Sequence, residues 1–322
     1  MNKDFFNKTI NEQLNILEKE NFFNKNELEQ IEFLRENGFF ELEIAQRIHF
    51  LENAGLFHLD VNDDPPTIPL TLDQVDFLTK KLKNKINRKM AYSAATKFIY
   101  KAFDDHKLII KDVIGIENLQ NLDTGAIITC NHFNPFDVFT LEKIFRDSGE
   151  HKKRRLYKVI REGNYTNFPG FYGKLFRNCD TLPLAKNKSV MIEFMKSVGI
   201  ILEKKNYIIV YPEQSMWLNY KKPKLLQPGA FKLAVKNKCP IIPIFICFED
   251  SEYKEDDGTP VQAYTVNIGK PIYPKKELSD KENCEYLKSE NYNVWKNIYE
   301  NFYKKPLEYS TEKIRLEALN GR

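Results

Sequence analysis

The sequence has no apolar run that approaches the roughly 18 residues of a membrane-spanning helix. Its longest apolar stretch, 241–248, has the length of a strand, and residues 1–8 are polar with no apolar core after them. We therefore expect a protein without a spanning segment or a secretory signal, made and kept in the cytosol.

Cysteine and histidine are sparse and scattered. The five cysteines lack the paired spacing of zinc sites, and the five histidines form no ligand cluster. We therefore expect neither a metal site nor a disulfide framework. The sequence also lacks a Gly-x-Ser-x-Gly elbow and a phosphate loop, which argues against a serine nucleophile and against P-loop nucleotide chemistry.

Charge is divided unevenly along the chain. Residues 1–66 hold six Lys or Arg against fourteen Asp or Glu, a net charge of −8. Because the whole chain carries +4, the remainder carries +12. A basic body suits an anionic membrane surface, the phosphates of a ligand or nucleic acid. Without a recognition-helix motif or an aromatic–basic stacking pattern, we expect no nucleic-acid partner.

Three regions follow from pattern and composition. Residues 1–66 form an acidic extension in which apolar residues recur at helical spacing, with Gly38 and Gly55 as expected C-caps. Residues 67–107 contain a basic amphipathic helix. From residue 108 to 322, strand-like and helical runs alternate, which predicts an α/β fold with a largely parallel central sheet flanked by helices.

The basic helix has two interpretations. Thr71 and Gln74 have the pattern of a capping box, which predicts the helix start. Its apolar stripe comprises Val75, Leu78, Leu82, Ile86 and Met90. Its basic flanks comprise Lys80, Lys81, Lys83, Lys85, Arg88 and Lys89. Either the stripe lies on anionic lipid with the lysines at the headgroups, or it packs on the rest of the protein with the lysines in water.

A histidine and a carboxylate share the segment 131–137, Asn-His-Phe-Asn-Pro-Phe-Asp, which follows a predicted strand at 126–129. With Asn134 as N-cap and Pro135 as the first helical residue, Asp137 falls in the first turn and can reach His132. Such a carboxylate fixes one imidazole nitrogen and leaves the other free as a base. The alternative is an ordinary capping box between Asn134 and Asp137, with His132 a loop residue.

Four segments resemble, in order, the blocks of the glycerolipid (lysophospholipid and glycerol-phosphate) acyltransferase family. Residues 131–137 match the first block, Asn-His-x-x-x-x-Asp, and 211–216 resemble the third, Phe-Pro-Glu-Gly-Thr-Arg. Residues 181–186 and 239–244 resemble the second and fourth blocks. His132 and Glu213 each follow a predicted strand, and ligands bind beyond the carboxyl ends of parallel strands, so we expect both in one site.

The resemblance implies an enzyme of phospholipid biosynthesis in which His132 and Asp137 are catalytic. The donor is acyl-CoA or acyl carrier protein, the acceptor is a lysophospholipid or glycerol-phosphate-like lipid, and no cofactor is needed. We expect the enzyme to be peripheral on the inner face of the membrane. The expected substrate-binding residues are Asn131, Lys186, Pro212, Glu213 and Ser215, together with Lys221 and Lys222 after the third block.

Departures from the blocks leave the acceptor open. The Asp-Arg that ends the second block is here Ala185-Lys186, which keeps a charge but loses the planar fork that grips phosphate. The glycine and arginine of the third block are Gln214 and Met216. Three alternatives remain: nearby lysines supply the charge, the acceptor is a non-phosphorylated alcohol or amine, or the chain is a non-catalytic peripheral membrane protein. The sequence does not indicate an oligomeric state.

Overall fold

Alternating strands and helices follow a helical extension in the computed structural model, which describes residues 19–36, 38, 40–62, 64–120, 122–255 and 258–311. The extension contains α1 (Glu27–Glu36) and α2 (Phe40–Ala54), and the long helix α3 (Leu82–Asp104) follows. The remaining elements are β1 (Ile109–Ile114), β2 (Ala126–Cys130), α4 (Asp137–Asp147), β3 (Leu156–Arg161), α5 (Glu162–Thr166), α6 (Gly170–Asn178), β4 (Thr181–Leu184), α7 (Lys188–Glu203), β5 (Tyr207–Val210), α8 (Gly229–Lys236), β6 (Ile241–Lys254), β7 (Pro260–Ile268) and α9 (Asp280–Tyr303).

The described strands form one seven-stranded sheet in the order β1-β7-β6-β2-β5-β3-β4. Strands β6, β2, β5, β3 and β4 are parallel, whereas β7 is antiparallel to β6 and pairs in parallel with β1. This arrangement confirms the predicted α/β class with its largely parallel sheet.

Apolar residues on both faces of the sheet explain why it forms. Side chains alternate between faces along a strand, so Ile127 of β2 joins one apolar cluster and Ile128 joins the other. Helices α7, α8 and α9 cover the first face, and α4 covers the second. Each fully buried isoleucine contributes about 1.5–3 kcal/mol, and all five residues of β2 are buried.

Two elements differ from the sequence pattern. Strand β4 coincides with the second family block, which the strand pattern of the sequence does not include, and it contains Pro183. Proline is tolerated there since β4 is the edge strand of the sheet. Strand β6 continues to Lys254, beyond the predicted end at residue 248, because β7 pairs with its second half.

The predicted helices of the extension are confirmed where the structure describes them, whereas residues 1–18 lie outside the described residues. Gly38 and Gly55 adopt positive φ of 72° and 70°, as expected of C-caps. The extension packs on the α/β domain through Phe57 and Val61, which form a buried cluster with Trp217 and Tyr309.

The predicted start of the basic helix is wrong. The capping box of Thr71 and Gln74 is present, but it closes a short 3₁₀ turn, and α3 begins at Leu82. The intervening Val75 and Phe77 are drawn into the core.

The predicted apolar stripe is consequently divided. Ala91, Ala95 and Ile99 form the buried face of α3. Leu82, Ile86 and Met90 are 73%, 53% and 67% exposed, so they do not pack on the described part of the protein. Within the described residues, the interpretation in which the stripe packs on the protein therefore holds for Val75 and Leu78 but not for these three.

A buried carboxylate ties α3 to the sheet. Asp180 accepts hydrogen bonds from Arg88 Nε (2.7 Å to Oδ1) and Nη2 (2.6 Å to Oδ2), from Arg155 Nε (3.1 Å) and from the Tyr92 hydroxyl (3.0 Å). Burial by itself raises the pKa of Asp180, but the Arg88 and Arg155 guanidiniums outweigh it and hold that pKa below its ordinary value.

We expect Asp180→Asn to lower the free energy of unfolding at pH 7 by about 3–5 kcal/mol, because it leaves two guanidiniums without their counter-charge. Asparagine tolerates the left-handed backbone of this position, where φ is 55°. A carboxyl whose folded pKa is depressed stabilises above its unfolded pKa, about 3.9, and less as the pH falls through the folded value. The difference from wild type should therefore shrink below about pH 4.

Urea unfolding at pH 7 and at successively lower pH measures this difference. The matched control is Asp123→Asn, since Asp123 pairs with Lys205 but is 93% exposed, and we expect little change in the free energy of unfolding. Equal effects of the two substitutions would contradict the role of Asp180 as the counter-charge of Arg88 and Arg155.

Candidate active site

Two adjacent parallel strands deliver the central residues of the site to one edge of the sheet. β2 pairs with β5, so the residues that follow Cys130 and Val210 emerge side by side. The backbone N–H of His132 donates to Glu213 Oε2 at 3.0 Å. The structure thus brings together the two residues that the strand-end argument placed in one site.

His132 and Asp137 are in direct contact, with His132 Nδ1 2.7 Å from Asp137 Oδ2. The helix begins at Asp137, so the prediction of Asn134 as N-cap and Pro135 as first helical residue is wrong by two positions. Instead, Asn134 Oδ1 accepts the N–H of Phe136 (2.9 Å), and its backbone carbonyl accepts that of Asp137 (3.2 Å). This tight turn, rather than a capping box, carries Asp137 back to the histidine.

The Asp137 carboxylate is fully buried and has three donors. Besides His132, the Phe133 N–H donates to Oδ2 (3.3 Å) and the Tyr211 hydroxyl donates to Oδ1 (2.7 Å). Burial, with the negative charge of Asp137, raises the pKa of Tyr211 far above its ordinary value, so the phenol remains a donor. The His132 ring also stacks on Tyr211, with centroids 4.1 Å apart. One imidazole nitrogen is therefore fixed in place.

The other nitrogen of His132 is the one left for a substrate. Since Asp137 accepts from Nδ1–H, Nε2 carries the lone pair that a base requires. The side chain of His132 is 27% exposed, whereas that of Asp137 is 1% exposed. An exposed base backed by a buried carboxylate is an arrangement suited to removing a proton from a bound hydroxyl.

Glu213 is buried and braces the loop that carries His132. Its Oε1 accepts the N–H of Lys224 (2.8 Å), and Lys224 Nζ lies 3.7 Å from Oε2. Lys224 Nζ also donates to the carbonyl (2.6 Å) and the hydroxyl (2.9 Å) of Ser215. Burial lowers the pKa of Lys224 to about 8, although the carboxylate of Glu213 acts in the opposite direction.

Ser215 and Pro212 are buried beside the Glu213–Lys224 pair. The Ser215 hydroxyl donates to the carbonyl of Phe57 (2.8 Å), in the N-terminal extension. The carbonyl of Pro212 accepts the N–H of Gln227 (2.8 Å). Both residues thus have internal partners in the described structure, and these contacts fix the loop after β5.

Asn131 joins two strands at the bottom of the site. Its Nδ2 donates to the carbonyl of Ile246 (3.0 Å), and its Oδ1 accepts the N–H of the same residue (2.8 Å). This pair of bonds extends the β2–β6 pairing by one residue and positions the chain just before His132.

The candidate lysines are spread over the surface around the edge. Lys222 donates to Glu52 Oε1 of helix α2 (2.6 Å). Lys221 is exposed, with Nζ 5.6 Å from the centre of the Phe248 ring. Lys186 is also exposed, and its backbone N–H donates to Glu162 Oε2 at 3.3 Å. The structure does not gather these three lysines into one cluster.

Two residues of the site were missed by sequence reasoning. Tyr211 stands first in the third block, where the family has phenylalanine, and its hydroxyl is what holds Asp137. Arg161 is the last residue of β3, at the same edge, and its Nη2 donates to the carbonyl of Gln214 (3.0 Å). Applying the strand-end rule to β3 as well as to β2 and β5 identifies Arg161.

His132, Asp137 and Glu213 lie within a part of the sequence that matches a known family model. The sequence model of a family described as Acyltransferase matches residues 111–247, a region that contains all four blocks. No curated protein matches the sequence significantly. Among solved structures, the chain is similar to the crystal structure of the 1-acyl-sn-glycerophosphate (LPA) acyltransferase PlsC from Thermotoga maritima, at 20% identity and a TM-score of 0.48, over 72% of this chain and 87% of that chain. The family match confirms the resemblance seen in the blocks: residues 111–247 of this chain are similar to the family described as Acyltransferase.

Proposed function

We propose that this chain transfers a fatty acyl group from an acyl thioester, acyl-CoA or acyl carrier protein, to a hydroxyl of a lysolipid or glycerol-phosphate-like acceptor. The observation that carries the proposal is the 2.7 Å contact between His132 Nδ1 and Asp137 Oδ2, because it supplies an oriented base at the open edge of the sheet. The family match supports acyl transfer as the reaction class.

The proposed reaction needs one base and no covalent enzyme intermediate. His132 Nε2 removes the proton of the acceptor hydroxyl while the oxygen attacks the thioester carbonyl. The tetrahedral intermediate then collapses, the carbon–sulfur bond breaks, and the imidazolium returns its proton to the leaving thiolate. Asp137 stabilises the imidazolium and need not itself take the proton. The steps use only these side chains and the two substrates.

Tyr211 and Glu213 act on the histidine rather than on the substrate. Tyr211 holds the second oxygen of Asp137 and stacks on the imidazole, and Glu213 holds the main chain of His132. Both restrict the position of Nε2, and small errors in such positioning reduce rates strongly.

We expect His132→Ala to reduce acyl transfer by about 10²–10⁴-fold, the usual contribution of a general base. The assay follows free thiol released from acyl-CoA and identifies the acylated lipid by mass. The control is His151→Ala, an exposed histidine in the turn between α4 and β3, which should leave the rate unchanged.

The alternative of a non-catalytic membrane protein makes the opposite prediction. If His132→Ala consumed acyl thioester at the wild-type rate while vesicle binding persisted, the transferase proposal would be wrong.

Asp137→Asn tests the role of the buried carboxylate. An amide in this position no longer stabilises the imidazolium, so we expect kcat to fall by about 10²–10⁴-fold with little change in KM. Tyr211→Phe removes one hydrogen bond to the same carboxylate and should cost about tenfold or less. A loss of about tenfold or less in Asp137→Asn would contradict the stabilisation of the imidazolium by this carboxylate.

We also propose that the protein works at an anionic membrane surface, on the inner face of the membrane, through helix α3. The exposed Leu82, Ile86 and Met90 share this helix with the exposed Lys83, Lys85 and Lys89. Burial of an apolar side chain contributes about 1.5–3 kcal/mol, and each lysine near anionic lipid about 1 kcal/mol. Within the described residues, no helix has the length and apolar character that crossing a bilayer requires.

A row of aromatic rings connects this helix to the catalytic turn. Phe98 of α3 packs against Phe171 of α6 (5.2 Å between centroids) and against Phe139 of α4 (5.7 Å). Phe139 stacks in turn on Phe136 (5.6 Å), the residue before Asp137. Phe136 and Phe171 are 37% and 39% exposed. This row supports a path along which an acyl chain reaches His132 from the membrane.

We expect Ile86→Glu to weaken binding to phosphatidylglycerol-containing vesicles by about tenfold or more. The substitution replaces an apolar side chain that is buried in lipid in the bound state with a negative charge that the anionic headgroups repel. Ile192→Glu on α7 is a matched control, since Ile192 is 49% exposed against 53% for Ile86. Vesicle co-sedimentation measures both, and equal weakening by the two substitutions would contradict a lipid-facing α3.

A further inference from the structure

The segment after α2 crosses the carboxyl edge of the sheet, and we call residues 57–62 and 64–70 the strap. At its first end, the carbonyl of Phe57 accepts the Ser215 hydroxyl (2.8 Å), and that of Leu59 accepts the indole N–H of Trp217 (2.7 Å). Val61, two residues further on, is completely buried. The strap is therefore fixed to the loop of the third block.

At its second end the strap is fixed to helix α5, which directly follows β3. The N–H of Leu70 donates to the buried carboxylate of Glu162 (2.7 Å), and the N–H of Ile68 donates to Asn167 Oδ1 (3.0 Å). Leu70 itself is completely buried in the main core. With both ends held by buried groups, the polar residues between them have defined positions.

Two carboxylates of the strap engage the arginine at this edge. Arg161 Nη1 donates to Asp64 Oδ2 at 2.6 Å, and its Nη2 pairs with Asp60 while also donating to the carbonyl of Gln214. The guanidinium fork, the group best suited to grip a phosphate, is thus occupied by the chain itself. The trio of side chains carries one net negative charge.

Arg161 lies within reach of an acceptor bound at His132. Their strands β3 and β2 are separated by β5 alone, so two strand spacings, about 10 Å, lie between them. Gln214, which Arg161 contacts, directly follows the Glu213 that holds His132. A charged headgroup on the acceptor therefore meets this trio.

Exposed ion pairs usually contribute little, because ordering the side chains offsets the attraction. Here the carboxylates belong to a segment that buried contacts already hold, with Asp60 between the anchored Leu59 and Val61. Pairing with Arg161 therefore costs these two side chains little additional conformational entropy. The pairing opposes any anion that competes for Arg161.

We propose, on the basis of the function proposed above, that Asp60 and Asp64 set acceptor specificity by excluding a phosphate monoester from Arg161. The acceptor is accordingly an uncharged lysolipid alcohol of the monoacylglycerol class. The replacement of the second- and third-block arginines by Lys186 and Met216 agrees with this assignment. Neither Asp60 nor Asp64 contacts the reacting atoms, so both act as specificity residues.

The test compares two acceptors that share one acyl chain, monooleoylglycerol and oleoyl lysophosphatidate, with oleoyl-CoA as donor and the full chain as enzyme. We expect wild type to have the higher kcat/KM for monooleoylglycerol. The double variant Asp60→Asn, Asp64→Asn should raise kcat/KM for lysophosphatidate by about tenfold or more, since it frees the guanidinium and removes two like charges. Its kcat/KM for monooleoylglycerol should change by less than about threefold.

Two further variants separate this effect from general electrostatics. Adding Arg161→Gln to the double variant should abolish the gain with lysophosphatidate. The pair Asp105→Asn, Asp112→Asn removes the same charge from exposed positions near β1 and should leave the acceptor ratio unchanged.

The outcomes distinguish the two proposals. A wild type that prefers lysophosphatidate, or a double variant with an unchanged acceptor ratio, overturns the specificity assignment while acyl transfer stands. Absence of transfer to either acceptor overturns the proposed function and this inference with it.

Discussion

The contact between His132 and Asp137 rests on a carboxylate that is completely buried. A buried carboxylate without donors costs several kcal/mol, so the surrounding chain must supply them. The turn through Asn134 delivers the Phe133 N–H, β5 delivers the Tyr211 hydroxyl, and the histidine delivers the third donor. Strand register, turn and helix start are all constrained by this one requirement, because a shift in any of them removes a donor.

A buried charge pair, Glu213 and Lys224, supports this contact. Glu213 and Lys224 lie below the edge of the sheet, where desolvation is costly and hydrogen bonds must compensate. Glu213 and Lys224 obtain these hydrogen bonds from main-chain groups of His132, Lys224 and Ser215. Since Ser215 bonds in turn to Phe57, the acidic extension is continuous with the support of the loop that carries His132.

The sequence predicts the central elements because their signals are local. A buried strand is an apolar run, and the first block places His132 and Asp137 on either side of one short turn. The start of α3 could not be predicted in this way: Thr71 and Gln74 form the expected box, yet the core draws in Val75 and Phe77 and delays the helix to Leu82. The contacts of Arg161 with Asp60 and Asp64 join residues about a hundred positions apart, and no local pattern contains them.

The replacement of the third-block glycine by Gln214 has a consequence for the backbone. Its φ is 64°, a left-handed conformation that glycine adopts freely and that costs other residues roughly 1–2 kcal/mol. The family places glycine here, whereas this chain holds a strained residue whose carbonyl is bound by Arg161. The Gln214 carbonyl is therefore held by the same guanidinium that the strap engages. Through Arg161, the acidic extension thus acts on the backbone geometry of the loop that carries Glu213.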